Sequence, residues 1–141
     1  MREILFRGKR MDNGEFVEGA LVIKHDPLLE ISYCFIIAQG KKDSFVTWHK
    51  VDPDTVGQYT GLTDMQDAKI FEGDIVQFGG EYGKIEYSEN EAMFQVVFEG
   101  WLTDFDHLRG TDVVVIGNIH DNPELMDGGD EDGKDTAAVR R

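Results

Sequence analysis

Residues 56–78 read VGQYTGLTDMQDAKIFEGDIVQF. The stretch opens on glycines and acids and ends in a run that alternates polar and apolar residues. Three readings compete for it: a phosphate cradle, an acid–base site, or a corner that turns one strand into the next. A phosphate cradle needs its glycines just after a strand, backbone N–H groups at a helix N-terminus, and usually a lysine. Gly57, Gly61 and Gly73 lack that spacing, and their neighbours are acidic. An acid–base site needs two carboxylates with separated pKa values facing one cleft. Glu72 and Asp74 have the spacing of one strand face, but close pairs arise by chance among 28 acids. The corner explains more. Gly61 and Gly73 permit tight backbone, Asp64 and Asp74 can bond nearby amides in Asx-type turns, and Leu62, Ile70 and Phe71 anchor the turn.

Working outward, the dominant period is two, not 3.6, so the fold is read as mainly β. Residues 3–23 form a hairpin around Asn13-Gly14, read as a type I′ turn. After Pro27, LLEISYCFIIA alternates, with Leu29, Ile31, Tyr33, Phe35 and Ile37 taken as the face that is covered. SFVTWHKV is a further strand, with DPDT as a second proline turn. Between about 73 and 119 lie three to five short strands with tight turns, which fits a small SH3-like barrel. TDVVVIGNI is apolar enough to read as its central strand. NPELM begins a short helix, with Asn122 as cap and Pro123 at the first position. The expected organisation is therefore an N-terminal hairpin and strands over 1–56, a connecting corner over 57–74, and the barrel with a short helical turn over 75–126. Residues 127–141 are expected to be a disordered acidic tail.

Two other segments join the central one in a resemblance. Gln58, Tyr59, Thr60, Gly61, Leu62 and Asp64, then Ile70, Phe71, Glu72, Gly73, Asp74, Ile75 and Val76, match the pattern Q-[YF]-T-G-L-x-D followed by I-[YF]-E-G-D-I-V. This resembles the YopX family of bacterial phage and prophage proteins. MREILFRGKR is similar to that family's opening, and VIGNIHDNPEL, with Asn118, Asn122 and Pro123, to its close. The resemblance implies a mainly β fold with a barrel-like C-terminal part and a phage or prophage origin. It implies no assigned activity, so no catalytic residue is carried over. One departure stands out. Met65, Gln66 and Asp67 replace the family's Lys-Asn-Gly turn; losing the glycine removes the easy positive-φ position, which Asp67 can still take at some cost.

Composition narrows the function classes. One cysteine, Cys34, excludes an internal disulfide and suits a reducing compartment. The N-terminus has no apolar segment of signal-peptide length, and no run is long enough to span a bilayer as a helix. The expected location is the cytoplasm of the host cell, with no membrane partner. The formal net charge is −14. Such a body repels phosphate backbones unless its bases cluster, as Arg2, Arg7, Lys9 and Arg10 do once. No motif calls for a cofactor, and His49, His107, His120 and Asp121 lack metal-ligand spacing. Glu72, Asp74 and His120 are the only catalytic candidates, all weak. The leading expectation is a non-enzymatic module that binds a protein partner or assembles with itself, open sheet edges favouring a homo-oligomer. The alternatives are a small enzyme with an acidic site, or a single-strand nucleic-acid binder using Trp48, Tyr59, Tyr82, Tyr87 and Trp101 as stacking surfaces.

Overall fold

The computed structural model describes residues 1–40, 42–108 and 112–127. The chain is nearly all β and forms two compact units, Met1–Tyr59 and Thr60–Arg141. The expected tail falls almost wholly outside the described residues, apart from Asp127.

In the first unit, strands β1 (Phe6–Lys9), β2 (Phe16–Asp26), β3 (Ile31–Gln39) and β4 (Val46–Val51) form an antiparallel meander. The start of β5 (Gly57–Thr63) pairs with β1, Gly57 opposite Arg7 and Gln58 opposite Phe6. At the far end of the meander Arg10 bridges Val51. Met11 N–H donates to the Lys50 carbonyl and Asp52 N–H to the Lys9 carbonyl, each at 2.9 Å. The ladder thus returns on itself at that end. The expected hairpin is present, but its turn is not type I′. Only Gly14 has positive φ, at 73°, and Arg10 and Glu15 close a longer loop. Asn13 instead accepts the Glu15 N–H with its side chain, the competing local bond that asparagine offers.

The core of this unit is Cys34, Ile36 and Val51, packed by Phe6, Val17, Leu21 and Val56. The expected face of β3 is therefore inverted. Cys34 and Ile36 point inward, while Tyr33, Phe35 and Ile37 are only half-buried on the outside. Alternation identifies two faces but not which one is covered, and both faces of this strand are apolar. Gly8 and Gly19 lie on the covered side. A Cβ at Gly19 would collide with the Ile37 carbonyl, so glycine permits the close approach of β2 to β3.

In the second unit, β6 (Lys69–Phe71) pairs with the end of β5. Strands β7 (Asp74–Phe78), β8 (Glu81–Ser88), β9 (Met93–Phe98), β10 (Trp101–Asp104) and β11 (Val114–Asn118) form a five-stranded sheet in the order β10-β9-β8-β7-β11. A 3-10 turn at Phe105–Leu108 precedes the return to β11, and a short helix, α1 (Glu124–Asp127), follows it. Ile70, Val76, Ile85, Val96, Phe98, Phe105, Leu108 and Val113 make one core. The sheet is open: β11 lies at its edge, not at its centre as its apolar run suggested. Its second side is covered by a turn rather than a strand, as shown below. Asn122 also departs from expectation. Its side-chain oxygen accepts the Asn118 N–H at 3.3 Å instead of capping α1.

Because Ile36 is fully buried and Phe35 is not, the two neighbours should respond differently to truncation. Ile36→Ala is expected to cost about 2–5 kcal/mol in urea unfolding, and Phe35→Ala about 1 kcal/mol. Equal losses would mean that the covered face of β3 is misassigned.

Candidate functional site

In the opening stretch the side chains of Thr60, Asp64 and Asp74 bond to backbone groups. Thr60 Oγ1 donates to the Ile70 carbonyl at 2.7 Å. Gly61 has φ 96° and nothing within reach of a Cβ, so conformation rather than space demands glycine there. Leu62 packs on the second core. Asp64 is 5% exposed. Its Oδ1 accepts from the N–H groups of Gln66 at 2.8 Å and Ala68 at 2.9 Å. Its Oδ2 accepts from Val115 N–H on β11 at 2.9 Å. Met65 N–H adds a bond to the Val113 carbonyl at 3.0 Å. This turn therefore covers the outer side of β11. Asp67 takes the positive φ left open to it by the lost glycine, at 64°.

The second half of the motif works in the same way. Asp74 is 2% exposed, and its Oδ2 accepts Phe71 N–H at 2.8 Å. Gly73, with φ 93°, donates to the Ile85 carbonyl and accepts from Ile119 N–H. Glu72 is half-buried between them. At the close of the chain, Asn118 Oδ1 accepts from the N–H groups of His120 and Asp121 at 3.0 and 2.9 Å. His120 is half-buried, and its backbone completes that turn. Gln58 and Tyr59 lie on β5, Tyr59 donating its N–H to the Leu5 carbonyl at 2.8 Å. Pro123 is exposed just before α1. Among the described residues no three His, Cys, Asp or Glu side chains converge as metal ligands. Cys34 lies in the first core, where burial pushes its thiol pKa up and away from the reactive thiolate.

The surface with the most chemistry lies elsewhere, on the outer face of the first sheet. Register sets Phe35 opposite Lys50, Ile37 opposite Trp48, and Tyr33 opposite Lys24. Lys50 Nζ sits 4.3 Å over the Tyr33 ring. Phe35 and Trp48 meet edge to face at 5.8 Å, with Trp48 52% exposed. On β1 and β2 the Arg7 guanidinium lies 4.6 Å over the Phe16 ring. Residues 1–59 hold eight bases and nine acids, a net charge of −1. The remainder holds six bases and 19 acids, a net of −13. The acidity of the chain thus belongs almost entirely to residues 60–141. The sequence reading missed this face because it took Tyr33, Phe35 and Ile37 as covered, although it named Trp48 as a stacking surface. The lysines interleaved with them, Lys24 and Lys50, were the available signal.

The other expected stacking surfaces are less open. Trp101 is stacked on Phe98 at 4.3 Å and donates its Nε1–H to Glu81 at 3.0 Å. Tyr87 packs edge to face on Phe94. Tyr82 is exposed on β8, and Tyr59 is half-buried. No helix among the described residues is long and apolar enough to cross a membrane.

A mainly β chain is what the family resemblance implied. The chain belongs to the YopX protein family, whose model matches residues 5–127. No curated protein matches it. The crystal structure of protein EF1440 from Enterococcus faecalis is similar, with a TM-score of 0.56 and 24% identity over 89% of this chain and 99% of that one. At that identity the likeness establishes a shared fold.

The Asp64 carboxylate has a consequence that pH can read. Burial pushes its pKa up, but the bonds from Val115, Ala68 and Gln66 outweigh this and leave it below the usual carboxylate value. The stabilisation is therefore present in full above the unfolded value of about 3.9, and is lost as pH falls through the lower folded value. Asp64→Asn keeps one oxygen but turns an amide toward N–H donors, and should cost about 1–3 kcal/mol at neutral pH. Thermal unfolding of both forms from pH 7 to pH 2 should show the gap closing at the acid end. A gap that stays constant would remove Asp64 as the source.

Proposed function

We propose that this protein is a non-enzymatic binding module that takes a protein partner on the outer face of its first sheet. Its setting is the cytoplasm of a bacterium carrying the phage or prophage it serves. The observation that carries this reading is the register that lines up Tyr33, Phe35, Ile37 and Trp48 beside Lys24 and Lys50. Aromatic rings give large contact area at small entropic cost, and exposed apolar surface rimmed by charge is the usual form of a protein contact. Of the carboxylates that an acidic active site would use, Glu72 and Asp74, the buried Asp74 accepts the Phe71 N–H. The strand order of the second unit, with its 3-10 turn between β10 and β11, supports reading that unit as an SH3-like barrel.

A second reading has one specific observation behind it. Cations over aromatic rings also suit single-stranded nucleic acid. Protein is favoured because the formal charge of −14 opposes a polyanion.

Capture from lysate of a phage-carrying host, with and without nuclease, separates the two. The probes are the full chain and a Tyr33→Ser, Lys24→Glu variant, both sites lying on the outer face. The expected result is one protein, held regardless of nuclease, with recovery down about tenfold on the variant. Capture abolished by nuclease would favour the nucleic-acid reading. Equal capture by both forms would place the contact elsewhere.

A further inference from the structure

We infer that the protein pairs with a second copy of itself through the free edge of β4, antiparallel about a twofold axis at Thr47. The inference rests on the binding-module reading and names one partner for it. Two hydrogen bonds fix the phase of this edge. Gly40 N–H donates to the Phe45 carbonyl, so the backbone of Phe45 faces β3. Alternation then turns Thr47, His49 and Val51 toward β3, and Val46, Trp48 and Lys50 outward. The Lys50 carbonyl is already engaged by Met11 N–H, where the end of β1 closes on β4. That leaves the outward N–H and C=O groups of Val46 and Trp48 as a two-residue template.

This template is self-complementary. With Thr47 on the axis, Val46 of one copy faces Trp48 of the other, and each such pair exchanges two hydrogen bonds. Their side chains share the outer face, so each Val46 packs on the other copy's Trp48, a favourable aromatic–β-branched cross-strand pair. Phe45, 76% exposed and without cover in the single chain, comes opposite His49. Charge also fits. Residues 43–51 carry only Asp43 and Lys50, and the register brings Lys50 of one copy to the end of the strand that holds Asp43 in the other. The strand has neither proline nor bulge between Val46 and Trp48 to blunt the edge. The paired segment is short, which places the contact among weak, transient interfaces.

Sedimentation equilibrium of the full chain tests this. From about 1 to about 300 µM the mass should rise from 16.0 kDa toward twice that value. Val46→Pro removes an outward donor without touching the ladder to β3, and Trp48→Lys places like charges across the axis. Either should shift the dissociation constant at least about tenfold upward, with near-UV circular dichroism confirming the fold. A wild-type mass that stays at one chain, that passes beyond two chains, or that both folded variants reproduce would overturn the inference. Dimerisation is measured without any partner, and the Tyr33→Ser, Lys24→Glu variant leaves the edge intact. Self-pairing and partner capture can therefore fail independently.

Discussion

The carboxylate of Asp64 holds the second unit in register. One side chain accepts N–H groups from its own turn, at Gln66 and Ala68, and from Val115 on β11, 51 residues away. A charged acceptor buried at a turn costs desolvation, and only full use of its lone pairs offsets that cost. The glycines and the second aspartate of the motif then follow. Once the turn is bonded to β11, the chain must double back through β6 to begin β7 beneath it. Gly73 at φ 93° and the Asp74 bond to Phe71 N–H make that reversal. The Asp64 turn, bonded to Val115 N–H and to the Val113 carbonyl, covers β11 and explains why an edge of the ladder has the apolar composition of an interior strand.

How much of this was legible depended on whether the deciding contact was local. The mainly β class, and the opening for a positive φ at Asp67, follow from spacing and turn chemistry within a few residues. The face of β3 was not legible. Ile31 to Ile37 carries apolar side chains on both sides, and which side is covered depends on β1 and on the Arg10–Val51 bridge, both distant in sequence. The cover over β11 was hidden for the same reason. Asn122 read as a helix cap by position, but its oxygen serves Asn118 instead. A Cβ at Gly117 would run into that same Asn122 side chain, so the two residues form one tight unit that pattern alone does not reveal.

The motif that identifies the family is therefore a specification of fold. The side chains of Thr60, Asp64 and Asp74 are directed at backbone groups. Charge is distributed unevenly along the sequence, residues 1–59 being nearly neutral and residues 60–141 strongly acidic. A uniform charge of −14 would give no preferred contact. A charge held almost entirely by residues 60–141 leaves residues 1–59 free to present lysines among aromatics without general self-repulsion there.

Edges follow from the way the first sheet closes. A fully closed ladder would satisfy every backbone group and leave nothing for a partner. Here closure is achieved at one end only, where Lys9, Arg10 and Met11 meet Lys50, Val51 and Asp52. The other end of β4 diverges from β1 and keeps Val46 and Trp48 open. Trp48 is held from behind by Phe35, so its ring is ordered before any partner arrives, and ordering it on contact costs less entropy. On the proposed pairing, a short aromatic edge bounded by a closed end would limit both the length of the added strand and its register, where a longer flat edge would accept many segments.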